Sequence, residues 1–405
     1  MSPPSEIPTS LPHADAPIFS GVIYLDHAAS SPLRTEVWEA MGRRLGSAAY
    51  NAASTHACGR QAEDALDEAR TTIAAAVGAS RGEVFFTAGG TVSDNVAVLG
   101  FVRRRLGERP RVVTTAIEHK AVIHAAKQAA REGADVVFLP VDEHGQVNPQ
   151  DLERALGTGD GGPTLVSIMW ANNEVGTVQP IPELVEIAHR HGAIFHSDAV
   201  QGFGKLDMRS ERAPVDLLTV TAHKLGGPVG IGALVCRRGT SLEPLVFGGS
   251  QERGVWPGTQ NPIGAIGFAA AVQLCLDERE THLPHYRSLR DVLAAELRAG
   301  IPGLVVHAEG AAERLPNLLS VGIPGADQGT LLVAIDLAGV AVSSGSACSS
   351  GTGTGSHVLD AMGVGGDDYS VVRLSFGPGT SEDEVRTAAA VVVEAAAGAR
   401  VVTAG

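Results

Sequence analysis

Aromatic side chains are scarce in this sequence, at 4% of 405 residues, and cysteine occurs only at Cys58, Cys236, Cys275 and Cys348. No two cysteines form a C-x-x-C pair, so neither a zinc site nor a disulfide framework has support. The four are expected as free thiols of a reducing compartment, three of them as small core residues. Lys and Arg number 31 against 45 for Asp and Glu, and no basic run is interleaved with aromatics. That balance argues against a nucleic-acid surface and mainly favours solubility. No stretch reaches the roughly 18 consecutive apolar residues that a membrane helix needs. Residues 1–20 carry Pro3, Pro4, Pro8, Pro12 and Pro17 but neither the basic start nor the apolar centre of a signal peptide. The expectation is a cytoplasmic protein with a disordered N-terminal arm.

What is present is a globular composition, 44% hydrophobic and 19% charged, with 49 glycines. From Tyr24 onward short apolar runs alternate with amphipathic stretches, the pattern of an α/β protein. Strands are expected at 83–87, 111–115, 136–140, 164–170, 193–197, 217–221 and 232–236, with helices between them such as 61–77 and 181–191. Strands separated by helices imply a mostly parallel sheet covered on both faces, with ligands beyond the carboxyl ends of its strands. After Cys275 long polar helices lead to further strands at 318–321, 340–343 and 371–376. Ser381 and Glu384 then make a capping box before a last helix running to about 397. Three parts are expected: an arm over 1–20, a large domain over 35–279, and a smaller α+β domain combining 21–34 with 280–405.

Six segments near the expected strand ends could carry chemistry, and each has a plain alternative. Thr87-Ala88-Gly89-Gly90-Thr91 runs from strand through glycines into a helix, so free N–H groups and a hydroxyl face a possible phosphate. An ordinary turn with a threonine cap would look the same. His119, after Ile117-Glu118, suits stacking or proton transfer, or a surface cap. Asn172-Asn173-Glu174 suits ligand contact or a self-bonded turn. Asp198 closes an apolar strand, where a carboxylate needs a cationic partner such as a pyridinium; a helix cap is the alternative. Gln201 stands three residues on. Lys224 ends another strand beside Gly226-Gly227, which suits a Schiff-base lysine or an exposed one. Cys348 opens a Ser/Gly-rich stretch, which suits a swinging nucleophile or a linker with an incidental thiol.

Together and in this order the six resemble the cysteine desulfurases of the class V aminotransferase superfamily, pyridoxal-phosphate enzymes of fold type I. The resemblance extends from Tyr24-Leu25-Asp26 through His223-Lys224 and Gly258-Thr259 to Val372-Arg373-Leu374-Ser375 and Gly379. Ser343-Ser344-Gly345-Ser346-Ala347-Cys348 is similar to the group whose cysteine lies on a long loop, here 343–357. The resemblance implies a seven-stranded, mostly parallel sheet and pyridoxal 5'-phosphate held by Lys224 as a Schiff base. It implies Asp198 against the pyridine nitrogen and His119 stacked on the ring and moving protons. Gly90, Thr91, Thr221 and His223 would hold the phosphate, joined by Thr259 from a second copy in a homodimer. Asn173 and Gln201 would contact the cofactor, and Arg373, helped by Asn51, would clamp the carboxylate of L-cysteine. Cys348 would take the sulfur as a persulfide, release L-alanine, and hand the sulfur to an acceptor protein. Trp256 departs from the pattern, standing where an arginine is usual. A selenocysteine lyase, a class V transaminase, or a sulfur-relay partner with reduced catalysis would share much of this set.

Overall fold

The computed structural model describes residues 21–159, 161–209, 211–345, 355–365 and 369–400. The arm expected over 1–20 and Cys348 lie outside the described residues.

The chain enters through a short strand, β1 (Ile23–Tyr24), and two helices, α1 (Thr35–Ala48) and α2 (Ala57–Ala76). In α2 the residues Ala62, Ala65, Leu66, Ala69 and Ile73 recur at helical spacing and are all buried, as their periodicity predicts. Strands and helices then alternate: β2 (Val84–Thr87), α3 (Gly90–Arg103), β3 (Arg111–Thr115), α4 (Lys120–Arg131), β4 (Asp135–Leu139), α5 (Pro149–Gly157), β5 (Thr164–Ser167), α6 (Ile181–Arg190) and β6 (Ile194–Asp198). Two strands complete this part, β7 (Leu217–Thr221) and β8 (Gly232–Cys236).

These strands form one seven-stranded sheet in the order β2-β8-β7-β6-β5-β3-β4. β8 pairs antiparallel with β2 and β7, and the other pairs are parallel. Six strands therefore end on the same edge. Neighbouring residues of one strand point into opposite apolar layers: Phe86, Val113 and Val166 into one, Phe85, Val112 and Leu165 into the other. Both faces are covered, as the apolar runs require. The strand expected over 164–170 stops at Ser167. On its β3 side the Met169 N–H donates instead to the Glu118 carboxylate, at 3.0 Å, which turns the chain toward the sheet edge.

Helix α7 (Pro262–Gly300) then runs for 39 residues. Ala265, Phe268 and Ala271 near its start belong to the core beneath the large sheet, whereas Leu289, Leu293 and Leu297 near its end belong to a second core. The boundary expected at 279/280 thus falls inside a continuous helix. Beyond it come β9 (Val305–Val306), β10 (Leu318–Pro324), α8 (Gln328–Leu337), β11 (Val340–Ala341), α9 (His357–Ala361), β12 (Tyr369–Ser375) and α10 (Glu382–Gly398). β12, β10 and β9 make an antiparallel sheet, and β1 pairs with β11. The capping box of α10 is formed, both Ser381–Glu384 bonds being present. Of the three described cysteines Cys236 alone is buried; Cys58 and Cys275 are half-buried rather than core residues.

Candidate active site

A cavity of about 320 Å³ opens at the edge where the parallel strands end, within the range of small-molecule sites. Asp198 is the last residue of β6, Lys224 follows β7 by three residues, His119 follows β3, and Gly90 begins the helix after β2. All four line the cavity, together with Thr91, Asn173, Gln201, Thr221, His223 and Arg373. Ten of the residues expected at the site are therefore brought together, and they come from segments spread over almost 300 positions.

The cavity has a cationic and an anionic pole. The Lys224 Nζ donates to the carbonyls of Ala28, at 2.6 Å, and Ala29, at 2.5 Å. Burial first, then the nearby Arg373 and Lys205 charges, lower its pKa to about 8. An amine so depressed is free as a nucleophile for part of its time near neutral pH. Asp198 accepts the Val200 N–H at 2.9 Å. Burial pushes its carboxyl up, while His119 and Lys224 pull it back toward ionisation. Asp94 lies beside it, fully buried, and its Oδ1 has no hydrogen-bond partner. Burial and the Asp198 charge hold Asp94 well above the usual carboxylate range. The donors of Asp94, His119 and Asp198 all lie within 4.8 Å of one another. Such a set could hold a metal ion, but a flat cation bearing one N–H fits a carboxylate pair beside an imidazole equally well.

His119 caps α4, its Nδ1 accepting the Ala121 N–H at 3.2 Å, so Nε2 carries the proton of the neutral ring. Burial lowers its pKa and the Asp198 charge raises it again. At the other end of the cavity α3 starts without a side-chain cap, behind Gly89 at φ 143°. L side chains rarely adopt that angle. A Cβ on Gly90 would stand 3.0 Å from Val200, so glycine keeps the helix start clear. Free N–H groups, the helix dipole and the Thr91 hydroxyl make an anion cradle there. His223 bonds the Ser30 hydroxyl at 3.1 Å and Thr221 donates to the Ile231 carbonyl at 3.1 Å.

Arg373 comes from β12 in the other sheet. Its guanidinium donates to the Asp26 carboxylate at 2.9 Å and to the Asn173 carbonyl at 3.0 Å. The residue is 2% exposed and its Nε has no partner, an unmet donor that suits an incoming carboxylate. Gln201 donates to the Ala28 carbonyl at 2.8 Å. Two expected residues stand apart. Asn51 is exposed, its carboxamide oxygen taking the Ala53 N–H at 3.0 Å in a self-bonded turn, and it does not line the cavity. Thr259 is likewise exposed and outside it. Asp94, Glu174 and His357 line the cavity without having been expected there, and Glu118 is buried beside His119. Glu118 and Glu174 adjoin singled-out residues, and Asp94 lies in the same helix start as Thr91, but no pattern marks His357.

An aldehyde-seeking amine, a carboxylate pair and a phosphate cradle around one cavity match the poles of pyridoxal phosphate. The class-V aminotransferase family model matches residues 23–387. The chain belongs to this family. The putative cysteine desulfurase IscS 1 of Bacillus subtilis is 42% identical over 91% of this chain and 96% of its own. A solved structure of a NifS-like protein superposes with a TM-score of 0.85 at 33% identity, covering 92% of this chain and 98% of that one. The structure titled SspA in complex with cysteine gives a TM-score of 0.76 at 30% identity, over 88% of this chain and 99% of that one. Within the class-V family the chain thus groups with the cysteine desulfurases, whose cofactor is pyridoxal 5'-phosphate. The residues present fit that cofactor: the buried Asp198 carboxylate, the clear helix start and the depressed lysine each answer a different part of it.

Proposed function

We propose that the protein is a pyridoxal-phosphate-dependent cysteine desulfurase, transferring the sulfur of L-cysteine to Cys348 and releasing L-alanine. The observation that carries this reading is Lys224, a buried amine with a pKa lowered to about 8, facing Asp198 and Asp94 across one cavity. When bound, pyridoxal phosphate supplies an aldehyde for imine exchange and an electron sink that makes the substrate Cα–H acidic.

The protein's own groups do the rest. The N–H groups at Gly90 and Thr91, with the Thr91 hydroxyl, Thr221 and His223, hold the phosphate. Asp198 would pair with the protonated ring nitrogen, and Gln201 and Asn173 would contact the ring. Arg373 takes the substrate carboxylate through Nε and a terminal nitrogen. The Lys224 Nζ removes and returns the Cα proton, and His119 Nε2 serves as a second proton carrier. The Cys348 thiolate takes the sulfur as the carbon–sulfur bond of the substrate breaks, so cysteine and a thiol become alanine and a persulfide. An acceptor protein then removes that sulfur. The structure titled SspA in complex with cysteine supports L-cysteine as the substrate class. The exposed position of Thr259 supports a homodimer in which each copy completes the other's phosphate site. Among the described residues no helix is long and apolar enough to cross a membrane, and we place the enzyme in the cytoplasm.

The test is to incubate the purified protein with L-cysteine and a reductant and to measure alanine. Equal amounts of alanine and sulfide, lost in Cys348→Ala, are expected. Alanine release that survives Cys348→Ala would point to a lyase, and transamination without sulfide to a transaminase. No reaction at all, with the cofactor bound, would leave a sulfur-relay partner.

A further inference from the structure

The chain on both sides of residues 346–354 is fastened to the cavity wall. Upstream, Ser343 exchanges two backbone hydrogen bonds with Arg373, at 2.7 and 3.3 Å, and its hydroxyl donates to Asp26 at 2.6 Å. Downstream, His357 donates from Nε2 to the Glu118 carbonyl at 3.0 Å. Val358, Leu359 and Met362 pack on Ile117 and Val175.

Both stems also meet one carboxylate. The Ser356 hydroxyl donates to Glu174 Oε2 at 2.5 Å, and the His357 ring lies 3.9 Å from Oε1. From the other side Gly345 comes so close that a Cβ there would stand 2.8 Å from the same Oε2. Glu174 is 3% exposed and lines the cavity. A carboxylate this buried needs hydrogen-bonding partners, and the Ser356 hydroxyl supplies one.

We propose that Glu174 is a positioning residue for sulfur transfer: it fastens Ser356 by a hydrogen bond and packs against Gly345, the two residues that flank the Cys348 segment. Bringing Gly345 and Ser356 to one carboxylate limits how far apart the two flanking residues can move. Glu174 takes no part in holding the cofactor or the substrate carboxylate. The glycine at 345 follows from the same contact, because any side chain there would displace the carboxylate. This inference rests on Cys348 being the sulfur acceptor.

The experiment measures, in the cofactor-loaded full chain, the single-turnover rate of persulfide formation on Cys348 by mass spectrometry. The visible spectrum and the apparent KM for cysteine are recorded alongside. Glu174→Ala should slow persulfide formation by about tenfold to a hundredfold, the usual effect of misplacing a reacting group. Its spectrum should be unchanged and its KM should stay within about twofold. Glu174→Gln should recover to within about threefold, since the amide oxygen still accepts the Ser356 hydroxyl. Ser356→Ala should be slowed in the same direction, and adding it to Glu174→Ala should cost nothing further.

An unchanged persulfide rate in Glu174→Ala overturns the proposal. So does a Glu174→Gln as slow as the alanine variant with Ser356→Ala unaffected, which would assign Glu174 to the charge of His119 instead. Should Glu174→Ala lose its cofactor, Ser356→Ala decides: a normal rate there overturns the proposal too. If the unaltered protein makes alanine but puts no persulfide on Cys348, the functional reading fails before this one is reached.

Discussion

The floor of the cavity and its wall are built in different ways. The floor consists of Asp198, the last residue of a parallel strand, and of Gly90, His119 and Lys224, each three or four residues beyond the end of one. The wall consists of Arg373 from the second sheet, Glu174 from a turn, His357 from the start of α9, and the carbonyls of Ala28 and Ala29. Floor residues are placed by one rule of parallel sheets, and His119 and Asp198 are supported by backbone N–H groups two residues on. Wall residues are placed by contacts across hundreds of positions: Asp26 to Arg373, Ser356 to Glu174. On the proposed reading, the groups that hold the cofactor lie at one sheet edge, and the substrate clamp is completed by contacts distant in sequence.

The sharpest test of the floor is Lys224→Ala. Alanine release from cysteine should drop by at least roughly 10³-fold, and borohydride reduction should no longer leave the cofactor attached to that peptide. The two floor carboxylates should then separate. His119 and Lys224 draw Asp198 toward ionisation, whereas burial and the Asp198 charge push the Asp94 carboxyl up. Asp198→Asn should cost about 10²-fold in kcat/KM and Asp94→Asn less than about threefold. Equal losses would break the distinction.

On the wall, Asp26→Ala leaves Arg373 buried without its ion pair. It should destabilise the protein by about 2 kcal/mol, less than for a fully buried pair because solvent reaches Asp26. Chemical denaturation checks this, and KM for cysteine should rise with it. Acidity sharpens the comparison further. Uptake of pyridoxal phosphate by the cofactor-free chain should quicken with pH up to about 8, the pKa of Lys224, and level off above it.

The smallest effect concerns Glu118, whose carboxyl burial pushes up to about 8 from an ordinary 4.5. Between those values the folded form binds a proton that the unfolded form has released, so this group's stabilisation is complete in acid and lost as pH rises toward 8. Glu118→Gln should flatten the fall in Tm across that window relative to the unaltered protein.

The fold and the floor were legible for one reason: apolar runs ending in glycine, aspartate or lysine have few other uses. β3, β7 and β8 match the expected spans to the residue, and Asp198 and Lys224 were singled out by the cost of burying a charge at a strand end. Of the wall, Arg373 was legible only through resemblance, and Glu174 and His357 were not picked out as site residues. Nothing about Arg373 within its own strand distinguishes it, because its partners Asp26 and Asn173 are 347 and 200 positions away. His357 follows a run of serine, threonine and glycine and opens a helix of 5 residues, too short to show a period. Asn51 was misplaced for a comparable reason, since an asparagine that closes its own turn reads the same as one that greets a ligand.

Helix α7 has a mechanical consequence. At ~1.5 Å per residue its 39 residues act as a splint about 58 Å long, embedded at one end beneath the cofactor sheet and at the other beneath the sheet that supplies Arg373. Melting either end strips apolar cover from the other. Pro284, which can donate no backbone hydrogen bond, sits between the two embedded ends. The helix therefore joins two cores through a turn that is one backbone hydrogen bond short.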